Sequence, residues 1–408
     1  LHYGLSFSPG AYDAEDISYL SQLFSDNLKR IVEHLTGLEK SPVAACDMTA
    51  FHAVPNQELP SITQNDINAI AKQYPDVEDV IPLTPTQQGL LFESLRSDDP
   101  AHDPNHIQYG VLLRGPINSM RLTEVWKDLV RSYDILRMVI PSSDGGLITN
   151  GVVRGREFWE ANVHFGGERS LGDIAQIDLS RPFKISDGPL IRLGLVRTTD
   201  GDTGILLSQH HVILDGWSLG LLMKNLLGLY AGRDIQLSDQ WNSFVLSCIR
   251  ANRDESENYW REYLADIPPC EPTQIGIVPA SKISAGEVFR EISDDIMGGL
   301  TSVARANNVT VATIFLAIFR DLLGRYSNQT RPIIGVTTSG RAALEEVDAA
   351  VGVFINTLPF SEPEGGDFIA GLGDLQARQI DHETHGWLGL SAIRSFSENR
   401  EAVEFDSI

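Results

Sequence analysis

The chain has 408 residues, more than one core of about 100–200 residues accommodates, so two packed lobes or domains are expected. Hydrophobic residues make up 42% and charged residues 21% of it, the balance of a globular chain, which excludes a disordered or collagenous one. Its 55 acidic and 32 basic side chains leave a net charge of −23, which repels nucleic acid and anionic lipid and argues against either as a partner.

Residues 2–8 alternate, with Tyr3, Leu5 and Phe7 on one side, and read as a strand ended by Pro9-Gly10. Beyond it Ile17, Leu20, Phe24, Leu28, Ile31 and Leu35 recur every three to four residues, the stripe of one amphipathic helix. A strand, a turn and a helix bury too little to stand alone, so this segment is expected to be either an arm on a neighbour or the end of a preceding domain, the latter taken for residues 1–40. Pro42, Pro55, Pro60 and Pro75 mark residues 41–76 as an interdomain linker, with one helix over 66–73 capped from the Thr63 region. A first lobe over 77–252 then carries a helix at 85–96, a strand at 107–113, a helix at 119–133, a strand at 190–196, a turn through Asp200-Gly201, a strand at 204–211 and a helix at 218–230. A polar stretch from Arg253 to Ala285 leads into a second lobe, over 253–408, with the same grammar: helix 310–326, strands 332–338 and 351–360, and a helix from Asp367.

The most informative stretch is Gln209-His210-His211-Val212-Ile213-Leu214-Asp215-Gly216-Trp217-Ser218, between a strand and a helix. Strand alternation sends His210 and His211 to opposite faces, so the two imidazoles do different work. His210 is expected to be a buried, hydrogen-bonded core residue. His211 sits beside the turn, where Asp215 can pair with a basic side chain and pin the loop, Gly216 permits close backbone approach and Ser218 can cap the next helix. His164, His382 and His385 have no spacing that recommends a metal, and Cys46, Cys248 and Cys270 lack that of a disulfide framework or zinc site, so no metal is expected. No apolar run approaches the ~18 residues of a membrane span, and a reducing cytoplasmic setting is expected.

His-His-x-x-x-Asp-Gly, here His210 to Gly216, resembles the active-site signature of the condensation domains of nonribosomal peptide synthetases, relatives of chloramphenicol acetyltransferase. Pro82-Leu83-Thr84-Pro85-Thr86-Gln87-Gln88-Gly89-Leu90-Leu91-Phe92 looks like the first core motif of that family, Asp134-Ile135-Leu136-Arg137 like the second and Tyr259-Trp260 like the fourth. Residues 334–341, ending Ser339-Gly340-Arg341, and 351–359 look like the fifth and its continuation. Tyr133 stands where the family usually has His, and Met138 where it has Thr; neither is the expected catalyst, so altered packing is expected there. Residues 404–408 resemble the point where the family enters its final strands, which implies a truncated second lobe, and residues 1–35 resemble those terminal elements of an upstream epimerisation or condensation domain.

The resemblance implies an α/β fold of the α+β kind, with two chloramphenicol acetyltransferase-like lobes in a V around a central channel. It implies peptide-bond formation between an upstream acyl or peptidyl thioester and a downstream aminoacyl amine, each delivered on the 4'-phosphopantetheine arm of a carrier domain, with no cofactor bound by this chain. Partners are then the flanking carrier domains and neighbouring adenylation and epimerisation domains. His211 is the expected catalyst, as a base or by holding the amine in line. Asp215 is expected in an ion pair, with Arg137 as first choice and Arg341 as second. Trp217 is expected as channel wall or packing, and Ser339 either in the channel or in a turn. The join over residues 62–92 resembles that downstream of an epimerisation domain, which implies a D-configured donor. The absence of a Glu-Gly-His-Gly-Arg-type string speaks against an epimerisation domain, the two histidines against a heterocyclisation domain, and residues 1–76 against a free coenzyme A acyltransferase. A silent carrier-docking platform and a terminal cyclising or ester-forming domain remain as alternatives.

Overall fold

A computed structural model of the chain describes residues 13–36, 43–52, 62–96, 103–142, 149–164, 170–198, 200–265, 267, 288–329, 331–343, 349–361 and 368–397. The strand expected at 2–8 and the stretch from Glu404 lie outside these residues.

The predicted stripe forms α1 (Ala14–Thr36), whose Leu20 and Ile31 are more than half exposed. The short α2 (Thr49–His52) and α3 (Gln64–Gln73) follow. A capping box closes α3: the Thr63 hydroxyl accepts from Asp66 N–H while the Asp66 carboxylate accepts from Thr63 N–H. Ala45, Met48, Ile67 and Tyr74 are buried in one cluster with Val77, Val80, Val139 and Val152. The segment expected as a linker is therefore packed on the first lobe, and Asp79 fastens it by accepting from Thr49 N–H at 2.7 Å and Thr49 Oγ at 2.6 Å.

That cluster lines a three-stranded sheet in the order β1 (Val77–Pro82), β4 (Asn150–Arg154), β3 (Met138–Val139), all antiparallel. Between β1 and β3 run α4 (Pro85–Arg96), β2 (His106–Leu113) and α5 (Ser119–Ser132), where Leu122, Trp126, Leu129 and Val130 bury the predicted face. A four-stranded sheet orders β2, β7 (Thr203–His210), β6 (Ile191–Arg197) and β5 (Ala161–His164), with β5 parallel to β6 and the other pairs antiparallel. Gly201, at φ +82°, supplies the left-handed turn between β6 and β7 that a side chain disfavours. All eight residues of β7 are buried. Ile205 and Leu207 face the main core, and Leu206 faces α6 (Leu171–Leu179), so alternation serves two apolar surfaces. The chain turns out of β7 into α7 (Gly216–Tyr230), whose Leu219, Leu222, Met223 and Leu226 enter the main core, and then into α8 (Trp241–Arg250).

The stretch expected as a polar separator begins with a helix, α9 (Arg253–Ala265), because Trp260, Tyr263 and Leu264 bury one face of it. The second lobe adds α10 (Asp294–Ala306), α11 (Val311–Ser327), β8 (Ile334–Ser339), β9 (Ile355–Phe360), α12 (Phe368–Thr384) and α13 (Leu390–Ser395). β8 and β9 pair antiparallel, with Thr337 opposite Thr357. The strand expected over 351–360 starts only at Ile355: Ala350, Val351, Val353 and Phe354 leave the sheet and join the main core of the first lobe. Phe354 meets Trp241 at 5.5 Å and Phe244 at 4.8 Å between ring centroids. This crossover couples the lobes beside the β7–α7 turn.

Candidate active site

The turn from His210 to Asp215 is held at both ends. At its start, the His210 ring is fully buried and its Nδ1 accepts the Val212 N–H at 3.1 Å. The ring proton therefore sits on Nε2, which faces Asp103 Oδ2 at 3.2 Å and Ser94 Oγ at 3.1 Å. Burial works against the Asp103 anion, yet hydrogen bonds from His210, Asn105 N–H and Ser94 outweigh it and hold its carboxyl below the usual range.

His211 follows, half-buried, with its N–H donated to Asn105 O at 2.7 Å. Its Nδ1 lies 2.8 Å from Leu214 O. A carbonyl oxygen only accepts, so Nδ1 carries the hydrogen and the neutral ring keeps its lone pair on Nε2. The tight turn thus fixes both the tautomer and the direction of the ring.

Asp215 is fully buried and has no share in orienting that ring. It caps α7 by accepting Ser218 N–H at 2.7 Å. Its other oxygen accepts Phe354 N–H at 3.0 Å, and Arg341 Nη2 lies 3.5 Å from the first. Arg341 also donates to Ser218 Oγ at 2.6 Å and to Ala350 O at 2.8 Å, and its guanidinium lies over the Phe354 ring at 4.2 Å. Ser218 Oγ donates to Gly352 O at 2.7 Å and accepts Gly352 N–H at 3.1 Å. Asp215, Ser218 and Arg341 together bolt the 350–354 crossover of the second lobe onto the first.

The expected pair of Asp215 with Arg137 does not form. Arg137 is buried instead among its own partners, bonded to Glu78, Asp134 and the Arg154 carbonyl, because its 3-10 turn, Asp134–Arg137, packs on β4. Arg341, the second choice, occupies the place. Gly216 is exposed, with open space where a Cβ would stand, so no close approach requires it.

A cavity of about 530 Å³ opens between the lobes, with Thr84, Pro85 and Thr86 on one side, Phe244 and Cys248 on another, and Ser339, Gly340 and Phe354 from the second lobe. Ser339 thus lines it, whereas His211 and Trp217 do not. Trp217 is 61% exposed, because it lies off the face of α7 that carries Ser218, Leu219 and Leu222 into the core; the Arg341 guanidinium stands 6.0 Å from its ring. Among the described residues no group of three or more His, Cys, Asp or Glu side chains is arranged to hold a metal ion.

Asp103, Asn105 and Ser94 escaped sequence reasoning. The only local sign was the Asp-Pro-Asn turn before β2, and the partnership with His210 arises from the pairing of His106 with His210 across β2 and β7. Gly352 and Phe354 lay within a stretch assigned to strand, which gave no hint that their backbone serves the site.

A family described as the condensation domain matches residues 77–407. Bacitracin synthase 3 of Bacillus licheniformis is 24% identical over 420 residues, covering 98% of this chain and 6% of that protein. A linear gramicidin synthase of Brevibacillus parabrevis is 28% identical over 432 residues, covering 100% of this chain and 8% of that protein. The chain therefore spans a small part of the curated relatives it matches. Among solved structures, the condensation domain of the monacolin K polyketide synthase MokA superposes with a TM-score of 0.67 at 16% identity, covering 78% of this chain and 76% of that one. The X-domain from teicoplanin biosynthesis gives a TM-score of 0.63 at 17% identity, over 79% of this chain and 75% of that one. At such identities the likeness establishes the fold, which is the chloramphenicol acetyltransferase-like one expected.

Proposed function

Because this chain belongs to the condensation-domain family, we propose that it joins two amino-acid units by peptide-bond formation in nonribosomal peptide synthesis, with His211 as the group that assists the attacking amine. The observation that carries this reading is the hydrogen bond from His211 Nδ1 to Leu214 O, at 2.8 Å, which leaves Nε2 as the acceptor. The downstream amine attacks the upstream thioester carbonyl; the C–N bond forms, the C–S bond breaks, and the proton lost by nitrogen passes through Nε2 as the thiol departs. A thioester is already activated, so alignment of two tethered ends supplies much of the acceleration, up to ~7–11 kcal/mol. Chemical assistance by one imidazole then suffices. Asp215 is a structural residue: its oxygens are taken by Ser218, Phe354 and Arg341, which argues against a hydrolase-like triad.

The substrates are delivered on phosphopantetheine arms of upstream and downstream carriers, in the cytoplasm, with adenylation and epimerisation domains as neighbours and no cofactor resident in this chain. In this reading residues 1–40 belong to the upstream domain, 41–76 to a linker that packs against the first lobe, and 77–252 and 253–408 to the two lobes. The donor carries a D-configured residue, on the strength of the resemblance over residues 1–35 and 62–92 to an epimerisation domain and its downstream join. Single-turnover assays with matched L- and D-ended donors and a loaded acceptor carrier test both claims. Amide product that requires His211 and forms faster from the D-donor is expected; no amide from either donor would remove the catalytic reading, and equal rates or an L preference would remove the stereochemical one.

A further inference from the structure

We propose that Asp103 is a positioning residue for the condensation reaction, acting through the His210 ring to fix the turn that carries His211; the inference rests on the reading of His211 as the amine's proton acceptor. The residues Asp103 and Asn105 grip the turn at two places. Asp103 accepts from the His210 ring and from Asn105 N–H, at 3.2 and 2.9 Å, and Asn105 O accepts the His211 N–H at 2.7 Å. Ser94 closes the network, donating to Asp103 Oδ1 at 2.9 Å and accepting from Asn105 Nδ2 at 2.9 Å.

Each bond constrains the next. The Val212 N–H on His210 Nδ1 excludes a second proton there, so the ring has one donor, Nε2–H, and a carboxylate facing it holds that tautomer. With Val212 tethered to the ring and Ile213 N–H donated to His210 O at 3.2 Å, the backbone closes tightly enough to bring Leu214 O to His211 Nδ1. Releasing the His210 ring loosens Val212, and through it the carbonyl that sets the tautomer of His211. Carboxylate–imidazole pairs do the same for metal-bound histidines, where loss of the carboxylate costs about tenfold to a hundredfold in activity.

Asp103→Asn keeps the shape and removes the charge. Loaded with both carrier-bound substrates, the variant is expected to lose about tenfold to a hundredfold in kcat with KM for the carriers within about twofold. Nitrogen-15 NMR of histidine-labelled protein supplies a readout that a merely structural role leaves alone: wild-type His210 is expected as the Nε2–H tautomer and His211 as the Nδ1–H tautomer. In the variant the His211 signals are expected to shift toward a tautomer mixture. Wild-type kcat and unchanged His211 signals in Asp103→Asn would overturn the proposal. So would a wild-type His210 found as the Nδ1–H tautomer or as imidazolium at neutral pH, which needs no variant to fold. His211→Ala separates the two layers: full activity in that variant removes the acceptor reading itself, whereas an inactive His211→Ala beside an unaffected Asp103→Asn removes only the role of Asp103.

Discussion

His211 and Asp215 are four positions apart, the first half-buried beside the turn and the second fully buried in a network of hydrogen bonds. The His211 ring is held by one backbone carbonyl, so His211→Ala is expected to keep its thermal midpoint and, on the proposed role as proton acceptor, to lose about 10²–10⁴ in single-turnover rate. Asp215→Ala leaves Arg341, Ser218 and Phe354 with unmet donors in the interior, and unfolding in urea is expected to show a loss of about 3–5 kcal/mol. The identity of the partner arginine has its own test. Asp215→Ala and Arg341→Ala are expected to couple by about 0.5–3 kcal/mol in a double-mutant cycle, whereas Asp215→Ala and Arg137→Ala add to within about 0.5 kcal/mol, since they share no partner. Coupling with Arg137 instead would contradict the network.

Among the elements, the 350–354 crossover joins the two lobes through backbone as much as side chains. Gly352 gives its carbonyl to Asp215 N–H and Ser218 Oγ, and a Cβ there would stand 2.3 Å from Trp241 Cε3. Gly352→Ala is therefore expected to cost about 1–3 kcal/mol by overpacking, seen as a lower urea midpoint, and to slow condensation because the collision lies next to the Asp215 bolt. A variant as stable as wild type would mean that the crossover yields freely. Before the first lobe, Thr63→Ala removes one half of the capping box of α3 and is expected to cost about 1 kcal/mol. Hydrogen exchange confined to faster opening of residues 64–73 is the expected signature, since the cap touches only α3.

For the whole molecule, two groups that lose solvent around their titrating atoms pull the pH dependence of stability in opposite directions. Burial, with Arg378 nearby, pulls His382 from 6.5 down to about 3. The unfolded chain then binds the extra proton between those values, so this contribution is complete above about pH 6.5 and is lost as pH falls toward 3. Asp239 is exposed as a residue, yet loss of solvent around its carboxyl pushes it from 3.8 up to about 6, so the folded chain holds the extra proton and that contribution is lost as pH rises through 6. Asp178 adds to the acid-side loss: despite burial, hydrogen bonds from His106, Arg192 and Ser208 keep its carboxyl well below the usual range. Urea midpoints in the wild type are expected to vary little between about pH 4 and 6 and to fall below about pH 4. In His382→Gln the midpoint is expected to decline as pH rises from about 4 to 6, because the Asp239 slope is no longer opposed. An unchanged profile in that variant would show that His382 titrates normally in the fold.

What the sequence by itself determined was everything that neighbours along the chain decide. The end of the strand set the buried His210 apart from the half-buried His211, the Asp200-Gly201 turn predicted the β6–β7 hairpin, and the 3.6-residue stripes of α5 and α7 predicted their buried faces. Each follows from bonds and periodicities a few residues long. The tertiary structure alone decided which arginine reaches Asp215, because Arg341 lies 126 positions away and both arginines satisfied the same local description. It also decided that residues 351–354 abandon the strand for the core of the other lobe, that Asp103 meets His210, and that the segment after Pro42 packs as part of the first lobe. Those outcomes depend on burial between surfaces brought together by the fold, where the desolvation of a buried charge selects the partner that arrives with hydrogen bonds to offer, and no short-range pattern encodes that selection.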